Sequence, residues 1–338
     1  MSFNPNDPGS ADSNVFGLPY TVDESDLVLI PVPWEATVSY GAGTLHGPNA
    51  VLEASKQIDL FHPLLKEVWL RKMAMDQQDE SLILKSNAAR EKATVIMDQL
   101  VNGLQVNELL RSEVNAASQY MIDWVKKQAS AQLAKGKAVA TVGGDHSTPL
   151  GLFHALSENH QFGILQIDAH CDLRKAYEGF TYSHASIMYN ALEEIPAIEK
   201  LTQVGIRDYC EEEAAYIRDA KGRVQTYFDR DLQLQKFQGR NWAAIVAEII
   251  KTLPEKVFIS FDIDGLTPDH CPNTGTPVPG GLQFAEAVYL LEEVAKNRTI
   301  IGFDLNEVSP GDDEWDANVG ARMLFALCCC YWISRERS

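Results

Sequence analysis

The chain has no apolar stretch of about 18 residues free of charge, so no bilayer-crossing helix is expected. Basic residues are in deficit: 29 Lys and Arg stand against 47 Asp and Glu, a formal net charge of −18. The deficit argues against nucleic acid or an anionic membrane as a partner. It gives a cationic substrate only a weak long-range attraction. The first ten residues have neither a basic region nor an apolar core, so no secretion signal is expected. The six cysteines, Cys171, Cys210, Cys271, Cys328, Cys329 and Cys330, follow no disulfide spacing. Reduced thiols in a cytoplasm are the simpler account, and a cytoplasmic location is expected. There is no internal repeat and no low-complexity run.

What is present is apolar material in regular blocks. With 338 residues and 45% hydrophobic content the chain can bury a large core. Strand-like apolar runs fall at 27–32, 72–75, 138–142, 162–167, 201–206, 223–228, 257–261 and 299–303. Helical patterns separate most of them: one opened by Pro48, two amphipathic helices within 88–135, and a last helix over 319–333 that is either core or subunit contact. Strand and helix in alternation imply an α/β protein with a parallel sheet covered on both faces. An eight-stranded barrel fits the same alternation. Residues 1–25, polar and rich in Pro, Gly and Asp, are expected to form a loose arm or an edge extension, and 26–338 a single domain.

Three of the apolar runs end in metal-ligand chemistry. After 162–167 come Asp168, His170 and Asp172 at alternate positions, which share a face in extended chain. After 138–142 comes Gly143-Gly144-Asp145-His146-Ser147, and the run at 257–261 leads into Asp262 and Asp264. Open α/β sheets place their sites beyond such strand ends. Four carboxylates gathered in one place demand positive charge. Four carboxylates with two imidazoles are more than one divalent ion needs, so two ions fit better, and the oxygen-rich set favours Mn²⁺ over Zn²⁺.

The segments Gly143-Gly144-Asp145-His146-Ser147, Asp168-Ala169-His170-Cys171-Asp172 and Ser260-Phe261-Asp262-Ile263-Asp264-Gly265 occur in that order, each after an apolar strand. They resemble the signatures of the ureohydrolase (arginase/agmatinase) family. The likeness continues through 39–44 and 274–281 and covers roughly residues 27–327. The resemblance selects, over the barrel, a three-layer α/β/α fold with an eight-stranded, mostly parallel sheet. It implies two Mn²⁺, with Ni²⁺ compatible with the same ligands. His146, Asp168, Asp172 and Asp262 would hold one ion, and His170, Asp168, Asp262 and Asp264 the other, with Asp168 and Asp262 bridging. A metal-bridging hydroxide would attack the central carbon of a guanidino compound, and urea and an amine would leave.

Further roles follow from the same resemblance. His184, in Tyr182-Ser183-His184-Ala185, matches the histidine that carries protons to the leaving amine. Asp145, which neighbours His146 and faces the opposite way in extended chain, would instead accept a supporting hydrogen bond from an imidazole. The position of Val278 is read as one where relatives carry a guanidinium-binding glutamate, and valine cannot take that part. Arg174 suits a substrate carboxylate or a loop salt bridge. Trp34 and Glu35, on the long loop after the first strand, are either cavity wall or packing. His270 and Asp269 read as loop contacts. Tyr177-Glu178-Gly179 and Ser183-His184-Ala185 resemble the agmatinase branch, which makes a small cationic guanidino compound the expected substrate. Hydrolysis of guanidine or a guanidino acid, formimidoylglutamate hydrolysis, and a non-catalytic binding homologue are the alternatives. Trimers or hexamers are expected by likeness.

Overall fold

The computed structural model describes residues 3–7, 9, 10 and 12–337. Among the described residues eight strands form one sheet: β1 (Leu27–Val32), β2 (Met73–Met75), β3 (Ala138–Gly143), β4 (Phe162–Ile167), β5 (Ile198–Ile206), β6 (Val224–Phe228), β7 (Lys256–Asp262) and β8 (Thr299–Asn306). They lie in the order β2-β1-β3-β8-β7-β4-β5-β6, and every pairing is parallel. The helices are α1 (Gly47–Ser55), α2 (Glu80–Val101), α3 (Glu108–Leu133), α4 (Leu150–Ser157), α5 (Ile187–Glu194), α6 (Glu211–Asp219), α7 (Asp229–Phe237), α8 (Trp242–Lys251), α9 (Phe284–Asn297) and α10 (Trp315–Arg335).

Alternate residues of each strand feed different cores, as the two-residue period of a strand requires. Leu27 and Leu29 of β1 join α1, α8, α9 and α10 on one face of the sheet. Val28, Ile30 and Val32 join α2, α3, α4 and α5 on the other. The result is the expected three-layer α/β/α arrangement with an open sheet, not a barrel. Because all strands run the same way, their C-terminal ends lie along one edge. His146, Asp168, Asp172, Asp262 and Asp264 all follow strand ends on that edge.

The hydrophobic runs underestimate two strands. β5 begins at Ile198, and β8 continues to Asn306 through Asp304, whose side chain is buried and hydrogen-bonded rather than apolar. α2 starts at Glu80, before the pattern suggests, because Asp79 caps it by accepting the Ser81 N–H at 2.8 Å.

Of the two forms expected for residues 1–25, the described part is an edge extension. Asn14 bonds both backbone groups of Met75 on the edge strand β2, and Val15, Phe16 and Leu18 are buried. By length and composition α10 could cross a bilayer, but 83% of its apolar window is buried inside the molecule. It is the core helix of one face.

Candidate metal centre

The ends of β3, β4 and β7 bring six side chains together. His146 Nδ1 lies 2.9 Å from Asp168 Oδ2, 3.1 Å from Asp172 Oδ2 and 3.3 Å from Asp262 Oδ2. His170 Nδ1 lies 3.6 Å from Asp168 Oδ1 and 3.1 Å from Asp264 Oδ2. Asp168 therefore offers one oxygen to each imidazole. His146, Asp168, Asp172, Asp262 and Asp264 are buried, and His170 is partly open.

Local backbone features permit this crowding. A Cβ on Gly144 would stand 1.9 Å from the Trp34 carbonyl oxygen, so only glycine lets the chain pass beneath β1 and present His146. Asp172 adopts φ 54, a left-handed conformation that costs a non-glycine residue about 1–3 kcal/mol. Its carbonyl accepts the amides of Met188 and Tyr189 at 3.1 Å each, which ties the residue to the start of α5.

The ligand cluster is supported from behind. His146 Nε2 is 2.9 Å from Ser260 Oγ, which donates to Asp304 Oδ2 at 2.8 Å. Gln166 Nε2 donates to Asp168 Oδ2 at 2.7 Å, Gln203 Nε2 to Gln166 Oε1 at 2.7 Å, and Thr226 Oγ1 to Gln203 Oε1 at 2.7 Å. That relay crosses β4, β5 and β6. Asp145 does not serve an imidazole: its Oδ1 accepts from the Ser147 amide and hydroxyl, while Ser260 and Asp304 take the supporting role.

The electrostatics are those of anions confined together. Burial, and then Asp168, push the Asp172 carboxyl up to about 7. Burial and the neighbouring Asp264 and Asp168 carry Asp262 well above the carboxylate range. Burial opposes charge on His146 and His170, yet the surrounding carboxylates hold both well above the usual imidazole value. Asp168 is also opposed by burial but falls below the ordinary range, because both imidazoles face it. Protons thus occupy a cluster whose donor set suits cations. The buried His146 Nδ1 makes no directed hydrogen bond to any of its three carboxylate neighbours. Two groups in the cluster, His146 with Asp168 and Asp262, and Asp168 with His170 and Asp264, could each hold a metal ion.

Beside the cluster opens a cavity of about 110 Å³ lined by Ser39, Arg174, Tyr177, His184, Asp208 and Thr276 with His170 and Asp172. His184 Nδ1 has no hydrogen-bond partner, and its ring meets Tyr177 edge-on at 6.2 Å. Burial, then the charges of His170 and His146, push His184 down to about 3. Arg174 stacks on Tyr177 at 4.9 Å, with its Nε 3.8 Å from Glu213.

Of the residues read from the sequence as bearing on substrate, three stand away from the cavity. Trp34 is packed in the core at 1% exposure, and its carbonyl accepts the Asp145 amide. Glu35 accepts from the Gly43 and Leu45 amides and closes its own loop. Val278 does not line the cavity. Its carbonyl accepts from Arg207, whose guanidinium also reaches the carbonyls of Gly205, Asp264 and Leu266 and so holds together the loops that bear Asp264 and Thr276. His270, read as a loop contact, accepts the Phe284 amide at the start of α9.

A buried carboxylate does stand near the cavity, at Glu307. Its Oε1 accepts the His146 amide at 2.9 Å. Its Oε2 is buried without a partner, 3.0 Å from where a Cβ on Gly275 would stand, next to the cavity residue Thr276. Burial and then Asp145 raise its pKa well above the usual value. No pattern in the sequence marks it: Asp304 and Asn306 alternate at the end of β8, but Glu307 is out of step with them and has no histidine beside it.

Residues 25–330 match the Arginase family. The chain belongs to the arginase family. Among curated arginase-family relatives, the N(1)-aminopropylagmatine ureohydrolase of Synechocystis sp. is 30% identical over 317 residues, 93% of this chain and 91% of that protein. The guanidinopropionase of Pseudomonas aeruginosa is 29% identical over 317 residues, 92% of this chain and 88% of that one. Among solved arginase-fold structures, the agmatine ureohydrolase of Thermoplasma volcanium superposes with a TM-score of 0.73 at 21% identity, covering 97% of each chain.

Proposed function

We propose that this arginase-family chain is a metal-dependent amidinohydrolase of the agmatinase-like type, which releases urea and an amine from a guanidino compound. One observation carries the reading: side chains from three strand ends place two imidazoles against shared carboxylates, with Asp168 turned to both. His146, Asp168, Asp172 and Asp262 would hold one divalent ion, and His170, Asp168, Asp262 and Asp264 a second. Mn²⁺ suits the oxygen-rich set, and Ni²⁺ is compatible with it. When bound, such a pair lowers the pKa of a shared water and supplies the nucleophile.

The chain's own residues do the rest. Glu307 Oε2, buried and unpaired, accepts an N–H of the guanidinium, and the cation in turn draws the carboxyl to its ionised form. This fixes the central carbon beside the cluster. His184, neutral in the cavity, takes up a proton and hands it to the departing nitrogen. At the mouth, both Glu213 oxygens already accept backbone amides, from Leu173 and Cys210, and face Arg174. Exposed Asp208 is left for a cationic tail.

The test is urea release by metal-loaded protein from a panel of guanidino compounds with amine and carboxylate tails. Urea from amine-tailed members is expected. Bound metal with no urea from any member would overturn the proposal.

A further inference from the structure

The hairpin of α2 and α3 gives no side chain to the metal cluster, yet it grips both loops that wall the cavity. Toward the loop after β1, Ser86 Oγ accepts the Glu35 amide at 2.8 Å, and the Arg90 guanidinium donates to the Val38 carbonyl beside Ser39. Toward the loop between Asp172 and His184, Asn115 of α3 straddles Phe180. Its Oδ1 accepts the Thr181 N–H at 3.0 Å, and its Nδ2 donates to the Gly179 carbonyl at 3.3 Å. Phe180 is fully buried against Ala93 and Ile96 of α2 and Val114 of α3.

This clamp is wired to the cavity through backbone. Phe180 and Tyr177 exchange both of their N–H and C=O groups, at 2.8 and 3.2 Å, so a shift of Phe180 moves Tyr177 with it. Tyr177 in turn carries the Arg174 guanidinium on its ring. Besides its ring contact with Tyr177, His184 has a tie of its own: it opens a helical turn in which the Ser186 amide bonds the Ser183 carbonyl, and the Ala185 carbonyl accepts the Arg174 amide. Asparagine is a weak helix former, because its side chain competes for backbone hydrogen bonds. In the interior of α3 its amide does so across 64 residues of sequence, on another segment's backbone.

We infer that Asn115 is a positioning residue for the substrate's tail: through Phe180 and Tyr177 it sets where Tyr177 and Arg174 stand in the cavity. The kinetic part of this inference rests on the amidinohydrolase reading, and the structural part does not. Two variants of the full-length, metal-loaded protein test it, Asn115→Ala and Asn115→Asp, the second of which keeps an acceptor for Thr181. Hydrogen exchange in peptides spanning 176–182 should quicken about ten-fold in Asn115→Ala, as expected for loss of a local hydrogen-bonded clamp, while peptides from β4 and β7 keep the wild-type rate. Unchanged exchange in 176–182 would overturn the clamp.

In urea release, KM for an amine-tailed guanidino compound should rise about ten-fold with kcat and metal content little changed, and Asn115→Asp should fall between. Loss of kcat at unchanged KM would make Asn115 merely structural and overturn the inference. If wild-type protein released no urea, the functional reading would fail by itself, and the exchange result would still decide the clamp. Should Asn115→Ala not fold, Asn115→Asp carries both measurements at smaller amplitude.

Discussion

Asp168 lies buried in the cluster and His184 lines the cavity beside it, and their surroundings give them separable duties. Asp168 presents one oxygen to each imidazole and takes a third contact from Gln166. Its replacement in Asp168→Ala should abolish both metal binding, read by elemental analysis, and urea release. His184 touches none of the carboxylates, and its free Nδ1 is available for proton transfer. His184→Ala should therefore retain metal while turnover falls about 10²–10⁴-fold. A variant that lost its ions would show that the role had been misassigned. Glu307→Gln keeps the size of the side chain but removes its charge. A charge-assisted bond contributes about 1.5–3 kcal/mol, so kcat/KM should drop roughly 10–100-fold with metal retained. At this scale the sequence is legible only in part. The six candidate ligands could be read because they follow apolar strands and include histidines. Glu307 could not, because nothing about a lone glutamate after β8 announces that one oxygen is pinned to the His146 amide and the other left bare. Val278 misled because its side-chain chemistry was weighed, whereas the structure uses its carbonyl.

Strand register supplies the support that the ligands themselves lack. β7 and β8 are paired so that Ser260 lies opposite Asp304, and this alone lines up the chain His146–Ser260–Asp304. Slippage by one residue would turn Ser260 to the other face. Ser260→Ala should leave the sheet intact and weaken metal affinity about 10–100-fold, as loss of a supporting hydrogen bond does, measured by metal titration with unfolding monitored in parallel. The strands were legible because each is an apolar run bounded by polar residues, and β5 and β8 were cut short by three residues each. In β8 the missing Asp304 and Asn306 are polar residues satisfied inside the sheet, a property of partners rather than of composition. The relay Gln166–Gln203–Thr226 escaped for the same reason: three polar residues on three strands become a unit only when β4, β5 and β6 are set side by side.

For the whole molecule, the buried cluster links folding to protons and metal. Above pH 6.5 the native metal-free protein still holds protons on His146 and His170 and, up to about 7, on Asp172, whereas the unfolded chain has released them. The native state then binds more protons than the unfolded one, so stability should fall as pH rises above 6.5. Cations displace those protons. Added Mn²⁺ should raise Tm more at about pH 8 than at pH 6.5, and identical melting with and without it at the higher pH would remove the case for a metal centre. The sheet order adds a constraint in time. β8, from Thr299 to Asn306, lies between β3 and β7, so it joins a half-sheet of β2, β1 and β3 to another of β7, β4, β5 and β6. His146 stands on the first half and its carboxylate neighbours on the second. A nascent chain on the ribosome therefore cannot bring His146 to its carboxylate neighbours until its eighth strand has emerged, and the complete cluster of six belongs to the close of synthesis rather than to its course.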